Sequence, residues 1–353
     1  MSTPWDAGAF RARIQATLDD FLDTQAQRLE PLGDDAARLV AQARASVTGG
    51  KRFRAAFCYW GHRAYLPSPD DAEALIRACA SLELLHASAL VHDDYMDASD
   101  TRRGRPATHR VFEAQHRTAG WRGDAEQYGG AAAILLGDLL QAWADELLRG
   151  SGFPAGRTSR ALELFDLTRT EVIAGQFLDV SVQARGLASV ETAMTVLRYK
   201  SAKYSIERPL NIGAALAGAR SLSGLSAFGL PLGEAFQLRD DLLGVYGDPA
   251  TTGKPAGDDL VEGKRTVLVA LALEAAGPAE AATLDGALGT PLTEAEIAEL
   301  RRIITDSGAQ ARVEAMIAEL ASHAVAALER ADIDPTARDV LRGLAAAATQ
   351  RAL

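Results

Sequence analysis

The sequence predicts an all-α fold, a single large antiparallel helical bundle. Three features carry that expectation: apolar residues recur at helical spacing along most of the chain, runs of period-two alternation are absent, and segments rich in Ala, Leu, Glu and Arg are separated by short Gly/Pro punctuation. Taken in order, helices are expected near 6–29, 34–47, 52–65, 70–98, 127–149, 158–185, 189–202, 204–219, 222–246, 264–276, 292–305, 308–331 and 335–351. Pro67 and Pro69 separate the third from the fourth, Gly120–Gly130 reads as an exposed connection, and Gly247–Gly263 reads as a glycine-rich loop. With no internal repeat and no linker that would divide it, the chain is read as one domain over 1–353. The part from about Gly277 onward is alanine-rich and amphipathic, so its helices, about 290–351, are expected to pack and to contact another subunit.

Bulk properties narrow the function. The chain has 353 residues, 48% of them hydrophobic and 24% charged, which is the composition of a globular protein with a substantial core. A formal charge of −10 argues against a nucleic-acid partner, because binding a phosphate backbone requires a net basic face. A small anionic substrate is still compatible, since clustered cations or bound metal can reverse the field inside one cleft. Cys58 and Cys79 lie in apolar helical segments and read as reduced core residues. The N-terminus carries charges where a leader peptide would need an apolar run, and the apolar stretches Ala131–Leu136 and Val267–Leu273 are too short to span a bilayer. The expected location is cytoplasmic, without a membrane span.

The chemistry begins in Glu83-Leu-Leu-His-Ala-Ser-Ala-Leu-Val-His-Asp-Asp-Tyr-Met-Asp97. At about 100° per residue, His86, Asp93 and Asp97 fall within about 40° of one another, with Asp94 beside them. Like charges this close repel, and the apolar neighbours Leu82, Leu84, Leu85, Leu90 and Val91 imply burial, which makes the repulsion worse. A hard divalent cation resolves the conflict, and oxygen-only ligands without an EF-hand loop favour Mg²⁺ shared with a substrate phosphate. Read without a metal, the same pattern is an acidic helix end in water.

A second acidic cluster weighs against that plainer reading. Phe236-Gln-Leu-Arg-Asp-Asp-Leu-Leu-Gly244 places Gln237, Asp240 and Asp241 on one side of another apolar helix. If the two helices oppose each other across a bundle, they form a cavity able to hold metal ions and a diphosphate. Basic residues supply the other half. Gly49-Gly-Lys-Arg-Phe-Arg54 is a glycine turn opening a helix, suited to holding phosphate with backbone N–H groups and side-chain charge. It is not a Walker loop, because Arg52 follows Lys51 where Ser or Thr would be needed. Arg102 and Arg103, then Lys200, Lys254 and Lys264, follow later in the chain.

These residues resemble the trans-isoprenyl diphosphate synthase (polyprenyl synthetase) family. The resemblance runs from about 49 to 266 and rests on GGKRFR, ELLHASALVHDDYMD, RRGRP, GQFLD at Gly175–Asp179, YKS at Tyr199–Ser201, FQLRDD and GKPAGDDLVEGKRT, in family order. It implies an isoprenoid synthase-type bundle with a central cavity, and condensation of isopentenyl diphosphate with an allylic diphosphate. It implies Mg²⁺ as cofactor, three ions per active site with substrate bound, and a homodimer. By resemblance, Asp93, Asp97 and Asp240 are the metal ligands, with Asp94 and Asp241 close behind. Arg102, Lys200, Ser201, Gln237, Lys254 and Lys264 hold the allylic diphosphate, while Lys51, Arg54, His86 and Arg103 bind isopentenyl diphosphate. Gln176 and Asp179 orient lysines or water. Two positions depart from the family pattern. Gly244 stands where a third aspartate is usual, leaving Asp248 one turn farther on, and Ala55 stands where proline is common.

Chain length is expected to depend on residues upstream of Asp93. Ser88 and Ala89, about one turn away, are small; Leu85 and Leu82 are the next bulky side chains, Leu82 roughly 16 Å along the helix. That depth suits a C20 product, geranylgeranyl diphosphate, with C15 and C25–C30 as the alternatives. A class I terpene cyclase would normally lack the isopentenyl-binding set, a regulatory subunit should have eroded acidic motifs, and a helical di-metal oxidase needs more Glu-x-x-His pairs than Glu83/His86.

Overall fold

The computed structural model describes residues 5–68, 71–186, 189–247 and 257–350. It is all-α apart from one small hairpin, and it resolves into two compact units: Met1–Leu162 with Gly213–Gly218, and Glu163–Ile212 with Ala219–Leu353.

The first unit begins with α1 (Ala7–Leu29), capped by Asp6, whose carboxylate accepts the Ala9 N–H at 2.9 Å. Next come α2 (Asp34–Val47), α3 (Phe53–Arg63) and α4 (Ala72–Met96). Asp71 caps α4 by accepting the Glu73 and Ala74 amides, each at 2.9 Å. A β1–β2 hairpin (Thr101–Arg102, Arg105–Pro106), α5 (Thr108–Ala119) and α6 (Ala125–Arg149) complete the motif-bearing part. The core helix is α4, buried along most of its length and packed on α1, α3 and α6. Its length and composition alone would suit a bilayer span, and 78% of its most apolar stretch is buried inside the protein. The apolar run that the sequence reading overlooked as a span candidate is therefore core. Glycines on α6 permit its close approach: a Cβ at Gly137 would lie 2.1 Å from His92 Nε2, and one at Gly130 2.5 Å from Tyr95 Oη. Cys58 and Cys79 are free and buried, as expected.

The second unit continues α7 (Ala155–Arg185) and adds α8 (Val190–Leu197), a π-helical segment (Arg198–Glu207), the start of α9 (Arg208–Leu216), which from Gly213 on counts with the first unit, and α10 (Ser223–Tyr246). There follow the short α11 (Asp258–Val261), α12 (Val267–Ala275), α13 (Pro278–Ala287), α14 (Glu294–Asp306), α15 (Ala309–Arg330) and α16 (Pro335–Thr349). Here α10 packs against the π-helical segment, α15 and α16, and the apolar α12 lies at the core. Bare helix surface lets the π segment sit close to its neighbours. A Cβ at Gly175 of α7 would come 2.4 Å from the Lys200 nitrogen, and one at Gly233 of α10 2.4 Å from the Ala202 carbonyl oxygen.

Three expectations need correction. The stretch read as a connection over Gly120–Gly130 ends at Asp124, which caps α6. Two helices broken near residue 203 are instead α8, the π segment and α9 in direct succession. Helices α5, α11 and α13 were not foreseen.

Candidate active site

In the first unit the predicted residues gather around the C-terminal half of α4. Most of α4 is buried, yet His86, Ala89, Leu90, Asp93 and Asp97 keep accessible surface, at spacings that place them along one strip. Leu82, Leu85 and Ser88 are buried at 1%, 3% and 2% exposure, so of the four expected length-setting residues only Ala89 lies on the open strip. Asp94 turns inward, 3% exposed, and accepts Arg102 Nε at 2.7 Å and a second contact from Arg102 Nη2. Arg102 Nη2 also lies 3.7 Å from Asp93 Oδ2. This arginine is thus bound to the acidic motif itself, which neutralises the buried member of the aspartate pair.

Local backbone geometry explains how the basic residues are presented. Arg102 and Arg105 pair across the hairpin, and Arg103 and Gly104 form its two-residue turn with φ of 54° and 72°, the pattern of a type I′ turn. Arg103 lies over Gly50, where a Cβ would sit 3.3 Å from its guanidinium nitrogens, and its Nη1 donates to the Thr48 carbonyl at 3.5 Å. Among the described residues, positive φ at non-glycine positions occurs at Arg52, Ala98 and Arg103, all within or beside these motifs. Such backbone costs on the order of 1 kcal/mol per residue and persists where the surroundings impose it. His86, although it keeps some surface, is pushed well below the ordinary histidine range by burial of its ring and by Arg54, Arg103, Arg102 and Arg52. It is therefore a neutral imidazole at physiological pH.

In the second unit, α10 carries Asp240 on a partly accessible face and Asp241 on a buried one, 7% exposed. Gln237 Nε2 donates to Asp241 Oδ1 at 2.9 Å. Burial, with repulsion from Asp259 and Asp240, raises the Asp241 carboxyl to about 8, against the opposing effects of Gln237 and Lys264. Lys200, on the π segment beside Ser201, donates to Asp179 at 2.6 Å. Lys264 donates to Asp259 at 3.4 Å and pairs with Glu262. Of the predicted lysines, Lys200 and Lys264 are thus each held by a carboxylate. Gln176 is partly accessible on α7, three residues before Asp179. Lys254 and Asp248 lie outside the described residues.

Sequence reasoning missed two things. One is Asp259 as the answer to the glycine in the second motif: a Cβ at Gly244 would fall 1.8 Å from Asp259 Oδ2. A carboxylate from α11 thus stands where a side chain at 244 would begin. The signal was present in GDDLVEGK, but fifteen positions of chain separate it from Gly244. The other is Arg239, which reads as one more cation in FQLRDD. It forks onto Glu314 of α15 at 2.6 and 2.7 Å and donates to the Thr349 carbonyl of α16 at 3.0 Å. The C-terminal helices therefore brace the residue next to Asp240.

Comparisons with known proteins agree with these motifs. The family model for polyprenyl synthetase matches residues 37–305. The geranylfarnesyl diphosphate synthase of Aeropyrum pernix is 35% identical over 266 residues, 74% of this chain and 77% of that one. The geranylgeranyl diphosphate synthase of Mycobacterium tuberculosis is 35% identical over 241 residues, 68% of this chain and 62% of that one. The crystal structure of geranylgeranyl pyrophosphate synthase from Corynebacterium glutamicum, complexed with isoprenyl diphosphate and magnesium, superimposes with a TM-score of 0.96 at 41% identity, covering 99% of this chain and 100% of that one. With most of its length matched and both aspartate motifs set on their helices, the chain belongs to the polyprenyl synthetase family.

Proposed function

We propose that the protein is a magnesium-dependent trans-prenyltransferase that joins isopentenyl diphosphate to an allylic diphosphate, releases diphosphate, and makes a C20 product. One observation carries this reading. Each unit sets an aspartate pair on an otherwise apolar helix, with one carboxylate open and the other buried against a fixed partner, Arg102 for Asp94 and Gln237 for Asp241.

The donor chemistry fits magnesium. The candidate ligands Asp93, Asp97 and Asp240 offer hard carboxylate oxygens, and the crowding of Asp240, Asp241 and Asp259 is what a divalent cation relieves. Magnesium takes one or two carboxylates and completes its shell with water and substrate phosphate. When bound, magnesium neutralises charge on the departing diphosphate, with three ions per site proposed from the family pattern.

The chain's own groups do the rest. Within the second unit, Lys200, held by Asp179, and Lys264, held by Asp259, are proposed to donate to allylic diphosphate oxygens together with Gln237. Lys51, Arg54 and Arg103 offer the cations for isopentenyl diphosphate, and neutral His86 offers a hydrogen bond. Ala89 and Leu90 on the open strip of α4 provide apolar surface that keeps water from an allylic cation. The released diphosphate takes the proton lost at the end. A C20 product is supported by the small Ala89 and by the names of the Mycobacterium and Corynebacterium relatives, and the working unit is proposed to be a homodimer.

The test is incubation with isopentenyl diphosphate and the C5, C10 or C15 allylic diphosphate, with and without Mg²⁺, followed by chain-length analysis. Asp93→Ala and Asp240→Ala should each lower turnover by about 10²-fold or more while circular dichroism stays unchanged. Near-normal turnover in either variant would refute the assignment.

A further inference from the structure

Glu83 and Arg52 form a buried ion pair at 3.0 Å, with side chains 5% and 4% exposed. Neither can reach a substrate, and an apolar pair of similar volume would often be at least as stable. What the pair connects gives it a use. Arg52 is the N-cap residue of α3, held at φ 56° with no side-chain cap of its own. Its Nη2 donates to Gln15 Oε1 of α1 at 2.6 Å and to the Val47 carbonyl at the end of α2 at 2.5 Å. Glu83, reaching across from α4, uses its second oxygen, Oε1, to accept the Ala55 N–H at 3.2 Å. One carboxylate therefore caps the start of α3 from a neighbouring helix, satisfying an amide with no partner inside α3. Where the family commonly has proline, this chain has Ala55, and the N–H so gained goes to Glu83.

The turn fixed in this way carries Lys51 and Arg54 on either side of Arg52, with Arg103 lying over Gly50. Four arginines, 52, 54, 102 and 103, act electrostatically on His86, and Glu83 is the carboxylate that opposes their effect on Arg103. Unopposed, such a cluster repels itself apart when no anion is bound. We propose that Glu83 and Arg52 are positioning residues that hold Lys51, Arg54 and Arg103 as a preformed cradle for the diphosphate of the isopentenyl co-substrate. The proposal rests on the prenyltransferase reading for the identity of that ligand and on the contacts above for the cradle.

Two variants separate positioning from stability. Glu83→Gln keeps the shape but removes the charge and sets an amide N–H₂ against the Arg52 or Ala55 donor. Arg52→Met combined with Glu83→Leu replaces the pair by apolar side chains. Both should raise KM for isopentenyl diphosphate about tenfold or more and leave KM for the allylic diphosphate within about threefold. Calorimetric titration with isopentenyl diphosphate alone, without metal or allylic substrate, should show the same loss of affinity. If the apolar pair folds with an unchanged melting temperature and binds isopentenyl diphosphate as the parent does, the pair is structural only and the proposal is overturned. Should Glu83→Gln fail to fold, Arg52→Lys, which keeps the charge but loses the fork, carries the test, and unchanged affinity there overturns it equally. If the parent protein does not consume isopentenyl diphosphate, the prenyltransferase reading fails by itself. Titration with inorganic diphosphate then tests the cradle: weaker binding by these variants supports it, and equal binding refutes it.

Discussion

Asp241 offers a direct thermodynamic test of the second acidic motif. Its carboxyl is raised from the usual 3.8 to about 8, first by burial and then by Asp259 and Asp240. Between those two values the folded chain holds a proton that the unfolded chain has released. The stability this group contributes is therefore complete below about pH 4 and is lost as pH rises toward 8. At about 1.36 kcal/mol per pH unit, the full loss is on the order of 6 kcal/mol, an upper bound because buried sites relax and admit water. Asn at 241 keeps the shape and is blind to pH. In chelator-containing buffer, Asp241→Asn should match the parent near pH 4 and melt several degrees higher near pH 9, at about 2–4 °C per kcal/mol for a unit of this size. Adding Mg²⁺ with inorganic diphosphate near pH 7 should release a proton from the parent that the variant does not release, read by calorimetry in two buffers of different ionisation enthalpy. A melting difference that stays constant from pH 5 to pH 9 would refute the reasoning, because it would mean that Asp241 titrates alike in both states.

Two further expectations follow from side-chain space. Gly244→Asp restores the family's usual residue but drives its Cβ onto the Asp259 carboxylate, so it should cost about 1–3 kcal/mol and lower the melting temperature. Adding Asp259→Ser should recover much of that loss, and a single variant as stable as the parent would show that Asp259 does not fill the space. Ala89→Phe places a ring on the open strip one turn from Asp93, and gas-chromatographic analysis of the dephosphorylated products should show shorter chains. An unchanged distribution would remove Ala89 from the surface along which the product grows.

Much of this was legible in the sequence because strong periodicity and local chemistry coincide. The helix expected over 34–47 matches α2 to the residue, and α4 and α10 differ from expectation by two residues or fewer at each end. Helix α5 was missed because Thr108–Ala119 holds few large apolar residues and reads as polar connection, although His109, Phe112, Glu113 and His116 are buried. The π segment escaped because a sequence pattern does not report a wider backbone turn; it registers only as a lapse in the 3.6 period. At the site, residue types exposed the aspartates and the basic runs. Pairings were hidden: Glu83 with Arg52, Arg239 with Glu314 and Asp259 with the space beside Gly244 all join residues far apart in the chain.

The π-helical segment has a consequence for how the chain can vary. Lys200 sits inside a coil wound more loosely than its flanks, with the faces of Gly175 and Gly233 pressed close upon it. Removing one residue there would tighten the coil toward ordinary helix while the flanking helices hold their phase, so the reorientation would fall on the segment's own residues, Lys200 among them. Residue count between Arg198 and Glu207 is thus as binding as residue identity, so length changes that surface loops absorb freely should be purged from this stretch.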